Sequence, residues 1–457
     1  LSSEQLKYIN FMRNSLAIFF SFFIFVANAQ LTTTHPLSSY GIGEYNAGSN
    51  AISSALGFVN ASMIDSGFVN YYNPSSYSRL SKGNTLLSLG IDSRFSMYSQ
   101  GGVSENKIGS TVDHFSLGLK MNKLMGMSFG LKPYSKVGYE FSENVYTGVD
   151  SLRYTYTGTG SLQDVYLGFA ISPIQTANSH LSIGFNTSYL FGYVSNDRKS
   201  ELLNGSTDQG GLSKDITRLS AFHYELGAHF QQNIGPRHKL LIGFIFDPSQ
   251  RFNATLDNEL YTASNINAPE IYDTISYSRM NGFVEVLSVY ELGIKYQIFF
   301  KETKRKSNTR RPNLTLFASY KKWNGIQSDF ETPSSNWEVG KADKWSIGMS
   351  YSPETKLFEN VATLKAFEKL NYRIGVYQMN MPFSANGINY VDRGTTFGFG
   401  IPILAQMSLS SLNFAFVLGQ KGNGNDTGLK ENYLGFNFGM VFSPSAFEKW
   451  FRKRKLD

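Results

Sequence analysis

The sequence predicts an all-β fold: a transmembrane antiparallel β-barrel of about 14 strands with an N-terminal lumenal hatch containing short helices. Three observations lead there. Beyond residue 83, apolar and polar residues alternate with a period of two in segment after segment, the pattern of strands with one face in an apolar medium. Charged residues are 17% of the chain and aromatic residues 15%, whereas an ordinary soluble domain carries roughly 25% charged residues. The mean hydropathy of -0.23 argues against a helical membrane protein.

Residues 1–29 read as an export signal. Arg13 precedes the apolar run Leu16–Val26, and Ala27-Asn28-Ala29 supplies a small-residue cleavage site before Gln30. The run is about half of the ~20 residues that a bilayer-spanning helix needs. Residues 1–11 are mostly polar and precede Met12, so one expectation is an over-extended start with Met12 as the true one. The chain has no cysteine, which excludes disulfides, thiolate metal sites, cysteine nucleophiles and a lipid-anchoring thiol. An exported chain of alternating strands without a second apolar helix is expected in the cell outer membrane.

Residues 30–83 do not alternate and are assigned to a hatch or plug. Asn46 to Ser62 is rich in Ala, Gly and Ser, and Ile52, Leu56 and Val59 have the spacing of a short helix. Asn73-Pro74-Ser75-Ser76 is a turn signal. The segment has two possible places, a periplasmic tail or the lumen of a barrel too wide for its own side chains to fill.

Residues 84–442 are assigned to the barrel. Leu87, Leu89, Ile91, Phe95 and Met97 point one way while Ser88, Gly90, Asp92, Arg94 and Ser96 point the other. The same pattern places strands near 84–98, 111–122, 125–141, 158–171, 181–194, 217–232, 239–247, 284–300, 313–323, 342–352, 371–380, 393–403, 411–419 and 432–442. Their number is even, as in bacterial barrels. A soluble β-sandwich alternates too. Small residues crowding the polar face, aromatics at strand ends and alternating short and long links favour the membrane. The longer links, at 99–110, 142–157, 195–216, 248–283, 324–341, 381–392 and 420–431, are expected outside as loops. The links 301–312 and 353–370 are long for the periplasmic side. Residues 443–457 form a basic periplasmic tail in which Trp450 and Phe451 suit the membrane interface.

In the third strand Pro133 lies between Gly130 and Gly138. Proline donates nothing to a ladder, so a closed wall is expected to kink or gap there and let an apolar solute leave sideways; a plain bulge is the alternative.

Words spread along most of the chain resemble the outer-membrane transporters for hydrophobic compounds of the FadL/TodX type, in their Bacteroidetes form. They are Asn73-Pro74-Ser75-Ser76-Tyr77, similar to a hatch Asn-Pro-Ala motif with Ser for Ala, and Gly130 to Tyr139, similar to a third-strand segment. Others are Gly158 to Leu162 with Tyr166-Leu167-Gly168, then Ser188 to Gly192, Tyr372 to Gly375, Asn386-Gly387, Gly398 to Pro402 and Trp450 to Lys455. The resemblance implies a 14-stranded barrel, an N-terminal hatch and diffusion of hydrophobic solutes. It fixes no substrate.

Other chemistry finds little support. His223, Glu225 and His229 share an inward face, but the histidines are about 20 Å apart along a strand and cannot share an ion; no metal site and no cofactor is expected. No local word supports a catalytic serine, so no enzyme is expected. The Gly-x-Gly words at 41–43, 158–160 and 422–424 lack dinucleotide-binding context. Lys301, Lys304, Arg305, Lys306, Arg310 and Arg311 form a basic run read as solvated.

The expected function is passive uptake of hydrophobic solutes, long-chain fatty acid-like or aromatic. Phe58, Val59, Phe68 and Val69 are the candidate ligand contacts on the hatch, and equally candidates for packing it against the wall. Asn73, Pro74 and Ser75 form the hatch motif, and Gly130, Pro133 and Gly138 the lateral opening. The alternative is a non-transporting barrel, an accessory or docking subunit of a larger outer-membrane complex, for which the basic run and tail are the available surfaces. Expected partners are a hydrophobic small molecule or lipid, outer-membrane lipid, and other outer-membrane or periplasmic proteins, with no nucleic acid.

Overall fold

The computed structural model describes residues 35–39, 41–45, 50–81, 85–203, 210–263, 273–301, 309–330, 340–356, 370–385, 388–403, 410–422 and 428–443. The export signal at 1–29, Lys304, Arg305 and Lys306 of the basic run, and the tail beyond residue 443 lie outside them.

Fourteen antiparallel strands close into one barrel. They are β1 (Thr85–Gln100), β2 (Val103–Lys120), β3 (Met125–Tyr146), β4 (Ser151–Gln175), β5 (Ser179–Leu202), β6 (Gly210–Ile234), β7 (His238–Asp247), β8 (Val289–Phe299), β9 (Asn313–Trp323), β10 (Ala342–Ser352), β11 (Asn371–Ala385), β12 (Ile388–Pro402), β13 (Ser411–Gly422) and β14 (Lys430–Phe442). Each pairs with the next, and β14 closes on β1 from Leu87↔Phe442 to Ser99↔Lys430. Each alternating segment of the sequence falls on one of these strands, except that the expected strand 284–300 is split: residues 284–286 belong to an outer hairpin and only Val289–Phe299 crosses as β8.

The outward face is apolar along every strand, as Phe115, Phe185, Leu226 and Phe244 illustrate. Across β12, β13 and β14, Phe397, Phe416 and Phe436 form one aromatic row and Phe399, Phe414 and Phe438 the next, with neighbouring rings 5.0–5.3 Å apart. The inward face carries small residues that meet across strands: Gly184↔Gly227, Gly243↔Gly293 and Gly348↔Gly375.

Most of the links expected as outer loops are ladder instead. Strands β1 and β2 run on to a two-residue turn at Gly101-Gly102, both with positive φ, the conformation that a tight hairpin asks of glycine. The β3–β4 hairpin ends at 147–150. The expected loop 248–283 contains the strand segment Gln250–Ala263 and most of Asp273–Val286, which pair with each other above β7 and β8. Beyond the membrane a hairpin needs no apolar outward face, so the outward half of the period-two signal fades while the backbone ladder persists; an apolar face that remains, as at Phe252, Ala254 and Leu256, is buried. Strand β4 has 25 residues, against about 9–11 for a membrane crossing.

At the opposite end, where the chain enters at Thr85 and leaves at Phe442, β2–β3, β4–β5 and β6–β7 are joined by short turns. The two long links there meet each other: Thr309–Arg310 pairs with Thr355–Lys356.

One seam is incomplete. The β2–β3 ladder runs only from Lys120↔Gly126 to Phe115↔Leu131, although both strands continue well beyond it. On its other side β3 stays paired with β4, with a register shift between Pro133 and Ser135.

Candidate functional site: the hatch, the split wall and the lumenal charges

Residues 50–81 fill the lumen, and the wall is shaped to them. The short helix Ala51–Ser54 is capped by Asn50, whose Oδ1 accepts from Ser53 N at 2.9 Å. It is much shorter than the Ala/Gly/Ser pattern suggested. The small residues serve close approach: a Cβ added to Gly375 would overlap the backbone of Gly57, and one on Gly243 would overlap the Ala61 carbonyl. Gly57 itself has φ +72 and faces the Val376 backbone.

Charged wall residues hold the hatch by its backbone. Glu291 Oε1 accepts from Asn60 N at 2.9 Å and Ala61 N at 3.0 Å. Lys295 Nζ donates to Ile64 O at 2.8 Å and Lys344 Nζ to Phe58 O at 3.4 Å. Lys120 Nζ donates to Ser78 O. A buried carbonyl or N–H without a partner costs about 1–3 kcal/mol, so each contact both fixes the hatch and satisfies a group that water cannot reach. Sequence reasoning passed over Glu291, Lys295 and Lys344. Their signal was present: isolated charges at inward positions of otherwise apolar-alternating strands.

The Asn73-Pro74-Ser75 motif opens the 3-10 turn Pro74–Arg79. Asn73 Oδ1 accepts from Ser75 N and from Ser75 Oγ, while its Nδ2 donates to Ala61 O at 2.7 Å. Ser75 Oγ lies 2.9 Å from His229 Nδ1. A Cβ at Gly184 would come within 2.5 Å of the Pro74 backbone. Burial raises the hydroxyl pKa of Tyr71 and Tyr77 well above the usual tyrosine value.

Val59, Phe68 and Val69 are buried in one cluster with Leu56, Tyr71 and Tyr77. Phe58 has φ 65, meets Tyr377 edge-on at 5.0 Å and lies under the Lys344 ammonium. All four therefore pack the hatch against the wall in this state. The cavity beside Phe68 and Val69, lined also by Ile52, His114 and Val441, holds about 10 Å³, the limit for a single water.

Gly130 sits one rung before the β2–β3 ladder ends, and a Cβ there would overlap the Phe115 carbonyl. Pro133 lies two residues past the last rung. Gly138 lies further along, where residues 35–39 and 41–45 cover the edge of β3. Glu44 and Tyr45 pair antiparallel with Lys136 and Ser135. Ser135 Oγ donates to Ile42 O at 2.7 Å, and Gly138 N donates to Ser38 Oγ at 3.1 Å. Gly43 has φ +99, and a Cβ there would overlap the Lys136 carbonyl.

Across the lumen, Glu44 accepts from Lys421 Nζ at 2.7 Å and Arg94 Nη1 at 3.4 Å. Burial would raise the Glu44 carboxyl pKa, but Lys421 and then Arg94 hold it well below the usual value. Burial, reinforced by Lys421, pushes His35 down to about 4.

His223, Glu225 and His229 share an inward face but belong to two different sites. His223 and Glu225 join Lys132, Asp164 and the partly buried Asp247 in one cluster. Lys132 Nζ donates to Glu225 at 2.8 and 2.7 Å, and His223 lies 3.0 Å from Asp164 and 3.2 Å from Asp247. His229 instead stacks on His180, with ring centres 5.2 Å apart. Above the five-residue cluster, Leu162, Leu190, Leu219, Phe252, Leu256 and Val284 pack into an apolar core. Of the basic run, Lys301 and Arg311 are exposed.

Among solved structures, the fold is similar to the TodX deltaS2S3 mutant monoaromatic hydrocarbon channel (TM-score 0.53, 13% identity, 87% of this chain and 99% of that one). It is similar too to the Ralstonia pickettii toluene transporter TbuX (TM-score 0.50, 12% identity, 87% and 98%). A Pseudomonas aeruginosa FadL homologue matches with TM-score 0.50 and 11% identity, over 86% and 97%. At such identities the likeness is one of fold, and that is the level at which the FadL/TodX resemblance read from the sequence holds. No curated protein matches the chain. The family model described as BamG matches residues 11–457, almost the whole chain, and the protein belongs to the BamG family.

Proposed function

We propose that the protein is an outer-membrane barrel in which a hydrophobic molecule passes between lumen and lipid through the split beside Pro133. The observation that carries this reading is the end of the β2–β3 ladder at Phe115–Leu131, two residues before Pro133. A strand edge facing hydrocarbon leaves backbone groups without water to satisfy them. A barrel would not keep such an edge unless something occupies or uses it. Residues 35–39 and 41–45 cover the edge at Ser135–Gly138, which on this reading is the closed state. Passage then requires this segment to move, with the hatch residues Phe58, Val59, Phe68 and Val69 as the first apolar surface uncovered. The long hairpins face the exterior, and the ends at Thr85 and Phe442 face the periplasm. No catalytic role is assigned. The test is uptake of a labelled fatty acid or monoaromatic compound into proteoliposomes. Pro133→Val, which restores a donor and a strand former, is expected to reduce it at least tenfold. Unchanged uptake in a folded Pro133→Val variant sinks the lateral route.

A second reading, a non-transporting docking subunit, is favoured by the filling of the lumen. Glu291, Lys295 and Lys344 bind the hatch backbone, and the apolar core around Phe252 lies above it. The exposed Lys301 and Arg311 and the basic tail would then face partners. Purification from native membranes separates the two. Stoichiometric partner proteins with no uptake support the subunit; lipid-like density in an isolated barrel supports the channel.

A further inference from the structure

The cluster of Lys132 on β3, Asp164 on β4, His223 and Glu225 on β6 and Asp247 on β7 is a built site that neither reading above uses. We propose that it binds one divalent ion of the zinc class through His223 Nε2, an Asp247 oxygen and a Glu225 oxygen. One ligand atom from each of the three residues lies within 4.8 Å of the others. His223 Nε2 and Asp247 Oδ2 are 3.2 Å apart, close to the edge of about 3.3 Å of a tetrahedron with bonds of about 2.0–2.1 Å.

Each ligand is oriented by a further contact, as metal ligands generally are. Asp164 Oδ2 lies 3.0 Å from His223 Nδ1, Gln250 Nε2 donates to Asp247 Oδ1 at 2.8 Å, and Asn186 Nδ2 donates to Glu225 Oε2 at 3.0 Å. His223 thus has a carboxylate at each ring nitrogen, while a neutral imidazole has one N–H to offer. Something positive must sit at the second nitrogen, either a proton or a metal.

Charge favours the metal. Three carboxylates face one ammonium. An imidazolium leaves the cluster negative, whereas a divalent ion on a neutral His223 closes the sum to zero. Of the charges further out, Glu291 and Lys321 are cross-strand partners of opposite sign, and Lys344 lies beyond them. Uncompensated charge in a buried site costs several kcal/mol. Asp164 Oδ1 is buried with no hydrogen-bond partner, a further mark of excess acceptors. The inward face of β6 alone could not reveal the site, because Asp247 comes from the next strand at the point where β7 breaks off. The ion would clasp β6 to β7 beside the strand that borders the split.

The experiment is a zinc titration of the purified, folded, chelator-stripped full-length protein against a chromophoric chelator. About one tightly held ion per chain is expected. His223→Gln and Asp247→Asn should weaken it at least a hundredfold, and Asp164→Asn, which touches the ring but not the ion, by about 10–100-fold. His229→Gln should leave it unchanged. Heat-modifiable gel mobility identifies folded variants. Should the ligand variants not fold, X-ray absorption of the zinc-loaded native protein must show one nitrogen with oxygen neighbours. A folded native protein that takes up no zinc, or holds it equally well in His223→Gln and Asp247→Asn, overturns the site, as does a shell of several imidazoles.

Discussion

Glu291, from the barrel wall, takes the backbone N–H of Asn60 at 2.9 Å and with the same oxygen that of Ala61 at 3.0 Å. One carboxylate thus closes two donors of an irregular segment that has no ladder of its own. Removing it with Glu291→Ala leaves both N–H groups buried, at about 1–3 kcal/mol each. Hydrogen exchange at residues 57–62 is expected to quicken by at least tenfold while the barrel strands stay protected. Glu291→Gln keeps an acceptor and should fall between. Equal protection in all three proteins would mean that packing alone holds the hatch.

The wall glycines are the counterpart of that bond. A Cβ at Gly243 would overlap the Ala61 carbonyl, and one at Gly375 the Gly57 backbone, whereas at Gly211 the nearest atom is the movable Ser200 Oγ at 3.3 Å. Alanine at 243 or 375 is expected to destabilise by roughly 1–3 kcal/mol, as overpacking does. Alanine at 211 should change little. Urea-melt midpoints read by heat-modifiable mobility make the comparison.

Docking of residues 35–45 should weaken on acidification. His35 titrates near 4 when docked and at its ordinary 6.5 when released. Between those values the released segment binds more protons, so docking is strongest above 6.5 and loses up to about 3 kcal/mol as pH falls to 4. Glu44 acts with the same sign lower down: its depressed pKa favours docking above 4.5, and the benefit fades as pH drops below that. The groups facing this pair are Lys421, Arg94 and Glu431. Protease nicking within 35–45 should rise between pH 7 and pH 4. An unchanged rate counts against release.

The barrel was legible in the sequence because lipid imposes a period of two on every crossing, and residues such as Leu226 and Phe244 keep to it. Pro133 was legible too, since an absent donor can be read without coordinates. The outer hairpins were not, because strands in water on both faces, like Ser278–Asn281, carry no such alternation. The short helix was legible as well, but its extent and the reason for its small residues were not: Ala51, Ala55 and Gly57 read as helix formers or breakers when their smallness answers to Gly439, Gly398 and Gly375 of the wall. The lumenal charges need the register itself. Only the meeting of β6 with the end of β7 sets Asp247 beside His223.

Gly43 offers the most local control over the covered edge of β3. Its φ of +99 is one that side-chain-bearing residues rarely adopt, and a Cβ would overlap the Lys136 carbonyl. Gly43→Ala should therefore lift Glu44 from Lys136 without touching the wall. Loss of the pairing exposes the Lys136 backbone and separates Glu44 from Lys421. Amide exchange at 135–138 is expected to accelerate at least tenfold, while exchange at 126–131, inside the intact β2–β3 ladder, holds. If segment 35–45 gates the split, the same variant raises solute uptake, and Gly43→Ala combined with Pro133→Val returns it toward zero. Faster exchange with uptake unmoved would separate the two readings in favour of a docking subunit, because the edge would then open without serving a path.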